Sequence, residues 1–451
     1  MSAAAATSVG AGFDAGPPQG ETVLSGGSAV RAATSVGAGF DAGPPQGEAA
    51  PSGGSAVRAA TSVGACLPGN ANLGGQQTTL GVMGGGQLGR MFVQAAQAMG
   101  YYTVVLDPDV ISPAGLVSHY HIQTEYLDEQ GLAQLMQRCA AITTEFENVP
   151  APALMTLGAA RPVAPSAEAV GIAQDRVKEK AHFVRCGVPC APYAVIDSAA
   201  KLAAVTDDLL PGVLKTARLG YDGKGQVRVS SRAELAAGWD ELKGVPCVLE
   251  KLLALKAECS VIVARGWDGA MVNLPAQLNL HRDGILAMTT VYEGNMPSAL
   301  AKQAIEATKS IANELQYVGV LCVEFFILAD DSLVVNEMAP RPHNSGHYSL
   351  DACDLSQFDL QVRTLAGLPL VQPRQHSPAI MLNLLGDLWV DGRSPAWDQV
   401  LALPGAHLHL YGKLKPAKGR KMGHLTFTGA SVPEVRATAQ AAARLLGIAP
   451  F

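Results

Sequence analysis

The segment GVLCVEFFILADDSLVVNEMAP, residues 319–340, most constrains the fold of this chain. Two apolar runs of strand length flank residues 329–332, which is the pattern of a buried β-hairpin. Pairing about the midpoint of this turn places Glu324 directly opposite Glu337. Two carboxylates with Cβ atoms roughly 5 Å apart repel each other unless a cation lies between them. A solvent-facing pair is the alternative, but the apolar neighbours favour a metal, and oxygen ligands beside phosphates are typical of Mg²⁺ bound to a nucleotide.

The loop that follows this hairpin, PRPHNSGH at residues 340–347, combines polar side chains with two prolines. It brings an arginine, two histidines and an asparagine close to the expected metal site. Such groups are typical of electrophilic or acid–base roles in a reaction rather than of packing. The loop is therefore a candidate for catalysis.

Residues 78–109 indicate a strand, a glycine turn, a helix and a second strand. Residues 80–83 form a short apolar run, residues 88–99 have helical apolar spacing, and β-favouring residues precede Asp107. The turn GGGQLG resembles the dinucleotide fingerprint, with Asp107 at the distance of the ribose-binding acid. Because glycine turns also bind phosphate or merely pack a helix on a strand, the motif alone leaves these alternatives open.

Two glutamates lie at the end of a predicted strand. Glu145 and Glu147 alternate at a strand end in AITTEFENVP, where they suit either a functional site or the cap of a turn.

Residues 213–229, VLKTARLGYDGKGQVRV, have the pattern of a β-hairpin with Asp222-Gly223 as its turn. Its glycines and lysines suit a lid whose amides fold over a polyphosphate, and an ordinary hairpin is the alternative.

Between Gln399 and Pro433 the sequence contains no Asp or Glu, while YGKLKPAKGRKMGH is rich in lysine and arginine. A charge run is most often a solvated face. The scarcity of aromatic residues argues against a surface for single-stranded nucleic acid. The length of this basic loop and its Gly-Arg-Lys turn favour a pocket for one phosphate monoester.

Composition excludes several classes of protein. The formal net charge of -6 argues against a general nucleic-acid binder, and no apolar run reaches the length of a membrane span. The cysteines are scattered without a CxxC pair, so we expect reduced thiols in a cytoplasmic protein. Residues 1–76 contain a glycine- and alanine-rich repeat that begins at Ala6 and again at Ala33, and we expect this tail to be disordered.

The motifs GVMGGGQLGRM, EFENVP, LGYDGKGQ, VEFF, NEMAPRPHNSGH and YGK…GRKMGH occur together and in this order. In this arrangement the chain resembles the N5-carboxyaminoimidazole ribonucleotide synthetases, a family of ATP-grasp enzymes, from about Thr78 to the C-terminus. The resemblance implies an α/β and α+β fold of ATP-grasp architecture. It divides the chain into a Rossmann-like domain at residues 77–175, a two-lobed ATP-grasp core at 176–372 and a small C-terminal domain at 373–451.

The resemblance also implies the reaction. ATP phosphorylates bicarbonate to carboxyphosphate, and the amine of 5-aminoimidazole ribonucleotide takes up the carboxyl group, with ADP and phosphate as the other products. Mg²⁺ and lysines would stabilise the charge on the transferring phosphoryl oxygens. The resemblance further implies a homodimer that passes its product to a separate mutase, without nucleic-acid or membrane partners.

Individual residues receive roles from the same resemblance. Around bicarbonate and the aminoimidazole it places Tyr221, Arg341, His343 and Lys413; Arg341 would steady carboxyphosphate and His343 would manage the amine proton. For the ribonucleotide it implies Gly85, Gly86, Gln87, Asn344, Lys413 and Arg420. For ATP it implies Arg176, Lys215, Gly220, Tyr221, Asp222, Gly223, Lys224, Gly225, Gln226, Glu250, Lys251, Leu252, Leu253, Glu258, His281, Asn336 and Glu337. The implied metal ligands are Glu324 and Glu337.

Three other functions compete with this one. Another ATP-grasp carboxylate–amine ligase, such as a formate-dependent glycinamide ribonucleotide transformylase, would share the glutamate pair but not the PRPHNSGH loop together with the basic loop. A non-catalytic nucleotide-binding regulator would keep the fold, although each expected type of ligand residue is present here. An NAD-dependent dehydrogenase would depend on GGGQLG alone.

Overall fold

The structure is a computed structural model that describes residues 77–218, 225–392 and 394–451, with the backbone alone at residues 390 and 391. The repeat tail and the tip of the 213–229 hairpin lie outside the described residues, so their predicted disorder and turn stay predictions. Within the described ranges, none of the helices combines the length and apolar character that a membrane crossing requires.

The first sheet belongs to an α/β unit, as the sequence predicts. Its elements are β1 (Thr79–Met83), α1 (Gln87–Ala98), β2 (Tyr102–Leu106), β3 (Tyr120–Ile122), α2 (Glu129–Arg138), β4 (Ala141–Thr144), α3 (Ala151–Gly158) and α4 (Ala167–Ala173). The strands pair in parallel in the order β3-β2-β1-β4. Strand β1 is buried along its whole length, which agrees with its unbroken apolar character.

A small antiparallel sheet follows. Its elements are α5 (Arg176–Arg185), β5 (Tyr193–Ile196), α6 (Ala199–Ala203), β6 (Gly212–Thr216), β7 (Gln226–Val229), α7 (Arg232–Glu241) and β8 (Cys247–Lys251), with strand order β5-β8-β6-β7. Strands β6 and β7 form the predicted hairpin, in which Lys215 pairs with Gln226. On its other side β6 pairs with β8 and places Val213 opposite Glu250, so that Lys215 and Glu250 lie on neighbouring strands.

A larger sheet occupies the rest of the described chain. Its strands are β9 (Leu255–Arg265), β10 (Met271–Asn273), β11 (Gln277–Arg282), β12 (Ile285–Val291), β13 (Gly319–Leu328), β14 (Leu333–Ala339), β15 (Ala379–Leu385), β16 (Ala406–Leu410) and β17 (Lys421–Thr428). They pair in the order β14-β13-β9-β11-β12-β15-β17-β16, with β10 on β9. The accompanying helices are α8 (Ser298–Glu314), α9 (Ser349–Ala352), α10 (Gln357–Ala366), α11 (Trp397–Leu401) and α12 (Val432–Leu446).

Two features of this larger sheet position the candidate site. First, β12 pairs with β15 and places Met288 opposite Leu382, so the sheet continues across the predicted boundary at residues 372 and 373. Second, α10 connects it to the first sheet, where Gln361 Nε2 donates to Thr143 Oγ1 over 3.2 Å. The β13–β14 hairpin, the basic loop and the glycine turn are therefore held in one packed unit.

Candidate functional site

The predicted pairing of two glutamates in the β13–β14 hairpin is confirmed, because Glu324 lies directly opposite Glu337. The register depends on a β-bulge, since the next pair along the hairpin shifts by one residue and leaves Asn336 unpaired. Val335 and Met338 both belong to one apolar core, whereas the two residues between them are only partly buried. The bulge therefore turns both Asn336 and Glu337 away from the core.

The oxygen atoms at this hairpin fit a divalent metal ion. Asn336 Oδ1 is buried without a hydrogen-bond partner in the described part of the chain. An unpaired buried oxygen is unfavourable unless a donor or a cation reaches it. Together with the carboxylates of Glu324 and Glu337 it could provide the all-oxygen ligand set that Mg²⁺ prefers.

Each of the two carboxylates lies beside a basic side chain in this structure. Glu324 Oε1 lies 2.8 Å from His343 Nε2, and Glu337 Oε2 lies 3.3 Å from Arg176 Nη1. Burial opposes the ionisation of Glu324, but the contacts with His343 and His281 hold its pKa well below the usual value. The Glu324 carboxylate is therefore ionised near neutral pH and available to a cation.

His281 lies between Glu258, which is predicted for the nucleotide, and Glu324 of the β13–β14 hairpin. Its Nδ1 lies 2.9 Å from Glu258 Oε2, and its Nε2 lies 4.0 Å from Glu324 Oε2. Burial opposes protonation of His281, but the contact with Glu258 and the charge of Glu324 raise its pKa above the ordinary value. Three residues predicted from separate segments thus form one cluster, with ligand atoms within 4.8 Å of one another.

Glu250 contacts two lysines. Its Oε2 lies 3.1 Å from Lys215 Nζ, and its Oε1 lies 3.2 Å from Lys180 Nζ. Burial opposes the ionisation of Glu250, yet the two lysines lower its pKa. The sequence reasoning missed Lys180, which belongs to no motif. The only signal for it is its position four residues after Arg176, on the same face of α5.

The remaining residues predicted for ATP flank this pair of lysines. Lys251 ends β8, and the chain continues through Leu252, which is exposed, and Leu253 to β9. Gly225 has a φ of 70°, a conformation that favours glycine, directly before β7 begins at Gln226. Five residues predicted for the covering loop lie outside the described residues: Gly220, Tyr221, Asp222, Gly223 and Lys224.

The loop after β14 is tied to the EFENVP turn by an ion pair between Arg341 Nε and the carboxylate of Glu147. Burial opposes the charge of both groups, but their mutual attraction raises the pKa of Arg341 and lowers that of Glu147. Asn344 lies in the same loop and is 7% exposed. Neither polar atom of its side chain has a hydrogen-bond partner among the described residues, so it is a candidate to bind a substrate.

The amides of the glycine turn have carboxylate partners. Gly85 N donates to Asp107 Oδ2 over 2.7 Å, and Gly86 N donates to Glu145 Oε1 over 2.8 Å. Gly89 N donates to the second oxygen of Glu145 over 3.1 Å. Glu145 thus caps the start of α1. Of the two roles predicted for it, a functional site or the cap of a turn, the structure supports the cap. Asp107 binds this turn instead of standing free for a ribose, which disfavours the dinucleotide interpretation.

The basic loop connects β16 to β17 and lies against α1. Lys413 Nζ and Arg420 Nη1 both donate to backbone carbonyl groups of this segment, over 2.8 and 2.6 Å. A Cβ atom at Gly412 would lie 3.1 Å from Arg90 Nη1. The loop therefore passes directly beside the helix that begins at Gln87 and follows the glycine turn.

Three known protein families match successive parts of the chain. Residues 77–174 match the ribonucleotide synthetase preATP-grasp domain, and residues 181–358 match the ATP-grasp domain. Residues 379–438 match the phosphoribosylaminoimidazole carboxylase C-terminal domain. The fold is therefore an ATP-grasp fold with the two companion domains, as the sequence predicts.

Individual relatives cover most of the described chain. The N5-carboxyaminoimidazole ribonucleotide synthase of Brucella melitensis is 42% identical over 356 residues, which are 77% of this chain and 96% of that protein. The Staphylococcus aureus N5-carboxyaminoimidazole synthetase complexed with ADP has 38% identity and a TM-score of 0.75, covering 81% of this chain and 96% of that chain. The Aspergillus clavatus synthase in complex with ADP and 5-aminoimidazole ribonucleotide has 32% identity and a TM-score of 0.75, covering 82% and 98%.

Proposed function

The chain belongs to the N5-carboxyaminoimidazole ribonucleotide synthase family of ATP-grasp enzymes, and we propose that it uses ATP to carboxylate 5-aminoimidazole ribonucleotide with bicarbonate in purine biosynthesis. One observation carries this proposal within the structure. The contact of 2.8 Å between Glu324 and His343 joins the hairpin that we assign to the metal to the loop that holds Arg341. This contact supports a single site in which phosphoryl transfer and carboxylation would take place side by side.

The first step activates bicarbonate, which is a poor electrophile until one of its oxygens becomes part of a leaving group. That oxygen attacks the γ-phosphorus of ATP, the bond to ADP breaks, and carboxyphosphate forms. We assign Lys215 to the phosphates, where it would stabilise the developing charge. Arg341, whose side chain is 18% exposed beside Glu147, would hold the carboxyphosphate anion.

Mg²⁺ would be held by Glu324 and Glu337, with Asn336 Oδ1 as a further oxygen donor. When bound, it would neutralise charge on the phosphate oxygens of ATP. Glu258 and His281 lie beside Glu324, and we assign them to the nucleotide.

The second step forms the N–C bond. The exocyclic amine of 5-aminoimidazole ribonucleotide attacks the carbonyl carbon of carboxyphosphate, phosphate leaves with its bonding electrons, and the amine loses a proton. We assign this proton to His343, whose ring lies between Glu324 and Ser345. Lys413 and Arg420 would bind the phosphate of the ribonucleotide.

The experiment that tests this function is the release of ADP with 5-aminoimidazole ribonucleotide and bicarbonate, each omitted in turn. We expect turnover that requires both and that yields one carboxylated ribonucleotide for each ADP. Turnover with formate and glycinamide ribonucleotide would assign the chain to the rival ligase. The absence of any ATP hydrolysis would favour a nucleotide-binding regulator.

We further propose a cytoplasmic homodimer that passes its labile carbamate product to a separate mutase. The seven cysteines among the described residues are all unpaired, which suits a reducing compartment. Several large apolar side chains are exposed around strand β3, including Ile111, Leu116 and Tyr120, and they offer a surface for a second copy. Light scattering on the purified protein would give its mass in solution, and a monomer would contradict the dimer.

A further inference from the structure

A buried cluster of three charges lies behind the proposed phosphate site. Lys180 is 1% exposed, Glu250 is 5% exposed and Lys215 is 14% exposed. Both lysines contact the same carboxylate, one at each oxygen. One carboxylate neutralises one ammonium group, so the cluster keeps a net charge of one positive unit.

The three groups come from different elements. Lys215 lies on β6 and Glu250 on the adjacent strand β8, whereas Lys180 comes from α5. The ammonium group of Lys180 also lies 5.9 Å from the centre of the Tyr193 ring. Tyr193 belongs to β5 and lies opposite Glu250 in the pairing of β5 with β8. Lys180 is therefore enclosed by the small sheet and has the least access to solvent of the three.

The same face of α5 is tied to the β13–β14 hairpin. Arg176 pairs with Glu337, and Glu179 Oε1 accepts a hydrogen bond of 2.7 Å from Met338 N. Residues at positions i, i+3 and i+4 of a helix share one face. Helix α5 thus links Glu250 in the small sheet to Glu337 in the larger one.

We propose that Lys180 is a positioning residue for the nucleotide. It neutralises Glu250, so that the charge of Lys215 is left for the phosphates of ATP, and it fixes Glu250 relative to helix α5. This inference depends on the nucleotide site of the proposed function but not on the identity of the carbon or amine substrate. Without Lys180, the charges of Glu250 and Lys215 would cancel and the attraction for a polyphosphate would weaken.

The test is the affinity for ADP, measured by titration calorimetry. We expect Lys180→Met to weaken ADP binding on the order of tenfold and to raise the KM for ATP more than it lowers kcat. Lys180→Arg keeps the positive charge and should retain most of the affinity for ADP. Lys178→Met is the matched control, because Lys178 is an exposed lysine on the same helix, and it should bind ADP as the wild type does.

The double variant Lys180→Met/Glu250→Gln separates the charge from a merely structural role. It keeps the net charge of the cluster through Lys215 alone, so we expect it to bind ADP more tightly than Lys180→Met, within about threefold of the wild type. A further loss in the double variant would overturn the inference, as would wild-type affinity in Lys180→Met. If Lys180→Met does not fold, the double variant decides alone, since it removes both partners of the buried Lys180–Glu250 ion pair together.

The outcome is independent of the carboxylation assay. A wild-type protein that binds ADP but does not carboxylate the ribonucleotide would contradict the proposed function and leave the role of Lys180 testable. A carboxylating enzyme with unchanged ADP affinity in Lys180→Met would retain the function and contradict the inference.

Discussion

Arg176 and Glu337 form an ion pair, with 3.3 Å between Nη1 and Oε2, although Glu337 is also the proposed ligand of Mg²⁺. One carboxylate oxygen cannot serve the guanidinium group and a metal ion equally well. Binding of Mg²⁺ therefore competes with this ion pair, and the arginine that loses its partner stands beside the nucleotide site.

Glu337→Gln should abolish ATP turnover and leave the fold intact. The amide keeps the size of the side chain but removes the charge that we assign to the metal. We expect the rate of phosphate release to fall by about a thousandfold or more, with a far-UV circular dichroism spectrum like that of the wild type. Glu306→Gln, at an exposed position of α8, is the control and should be fully active. Normal turnover in Glu337→Gln would refute the metal role.

Lys413→Ala should weaken binding of the ribonucleotide, because it removes a cation that we assign to the phosphate. We expect the KM for 5-aminoimidazole ribonucleotide to rise about tenfold or more, with little change in the KM for ATP. Lys418→Ala changes an exposed lysine of the same loop and serves as the comparison. An equal effect of both variants would show a general effect of charge instead of a specific contact.

Gly86→Ala should destabilise the protein. A Cβ atom at this position would lie 2.4 Å from Glu145 Oε1, so the carboxylate must leave the amides that it caps. Loss of partners for a buried carboxylate costs about 1–3 kcal/mol, measurable by urea unfolding. Gly158→Ala is matched to it, since nothing lies within 4 Å of the added atom. Equal stability of the two variants would contradict the capping role of Glu145.

The contribution of Glu179 to the stability of the metal-free protein should fall as the pH rises between about 4.5 and 8. Burial and the nearby charge of Glu337 raise the pKa of Glu179 from 4.5 to about 8. In this window the unfolded chain releases a proton that the folded protein retains, so increasing pH favours unfolding. Glu179→Gln removes this titration and can still accept a hydrogen bond. We therefore expect the Tm of Glu179→Gln, measured in EDTA, to increase relative to that of the wild type between pH 5 and pH 8.5. A difference in Tm between the two proteins that does not change with pH would contradict the raised pKa.

Local patterns predicted the elements of this fold well. Strand β2 covers the β-favouring residues that precede Asp107, and the β1–α1–β2 unit has its glycine turn where the sequence places it. Apolar periodicity and glycine are local signals, which is why these features were predictable. The pairing of Glu324 with Glu337 was also predictable, but for an incomplete reason. The observed pairs next to the turn, such as Ile327 with Leu333, follow a register that would place Glu324 opposite Asn336. Only the bulge at Asn336 restores the pair that the midpoint of the turn predicts.

Contacts between distant segments were not predictable in this way. The carboxylates that bind the amides of Gly85 and Gly86 come from positions 22 and 59 residues further along the chain. Lys180 meets Glu250 only because the fold brings α5 next to strand β8. No periodicity or spacing in the sequence specifies such a contact, since it depends on how complete elements pack.

The pairing of β12 with β15 has a consequence for the order of events during synthesis. Strand β12 must wait for β15, which emerges from the ribosome only after the β13–β14 hairpin and α10 have been made. The hairpin that we assign to the metal is thus made first, while β12 remains an open edge strand until β15 is made, and an open edge can pair with other chains. Chains interrupted between these strands should accordingly be prone to aggregation.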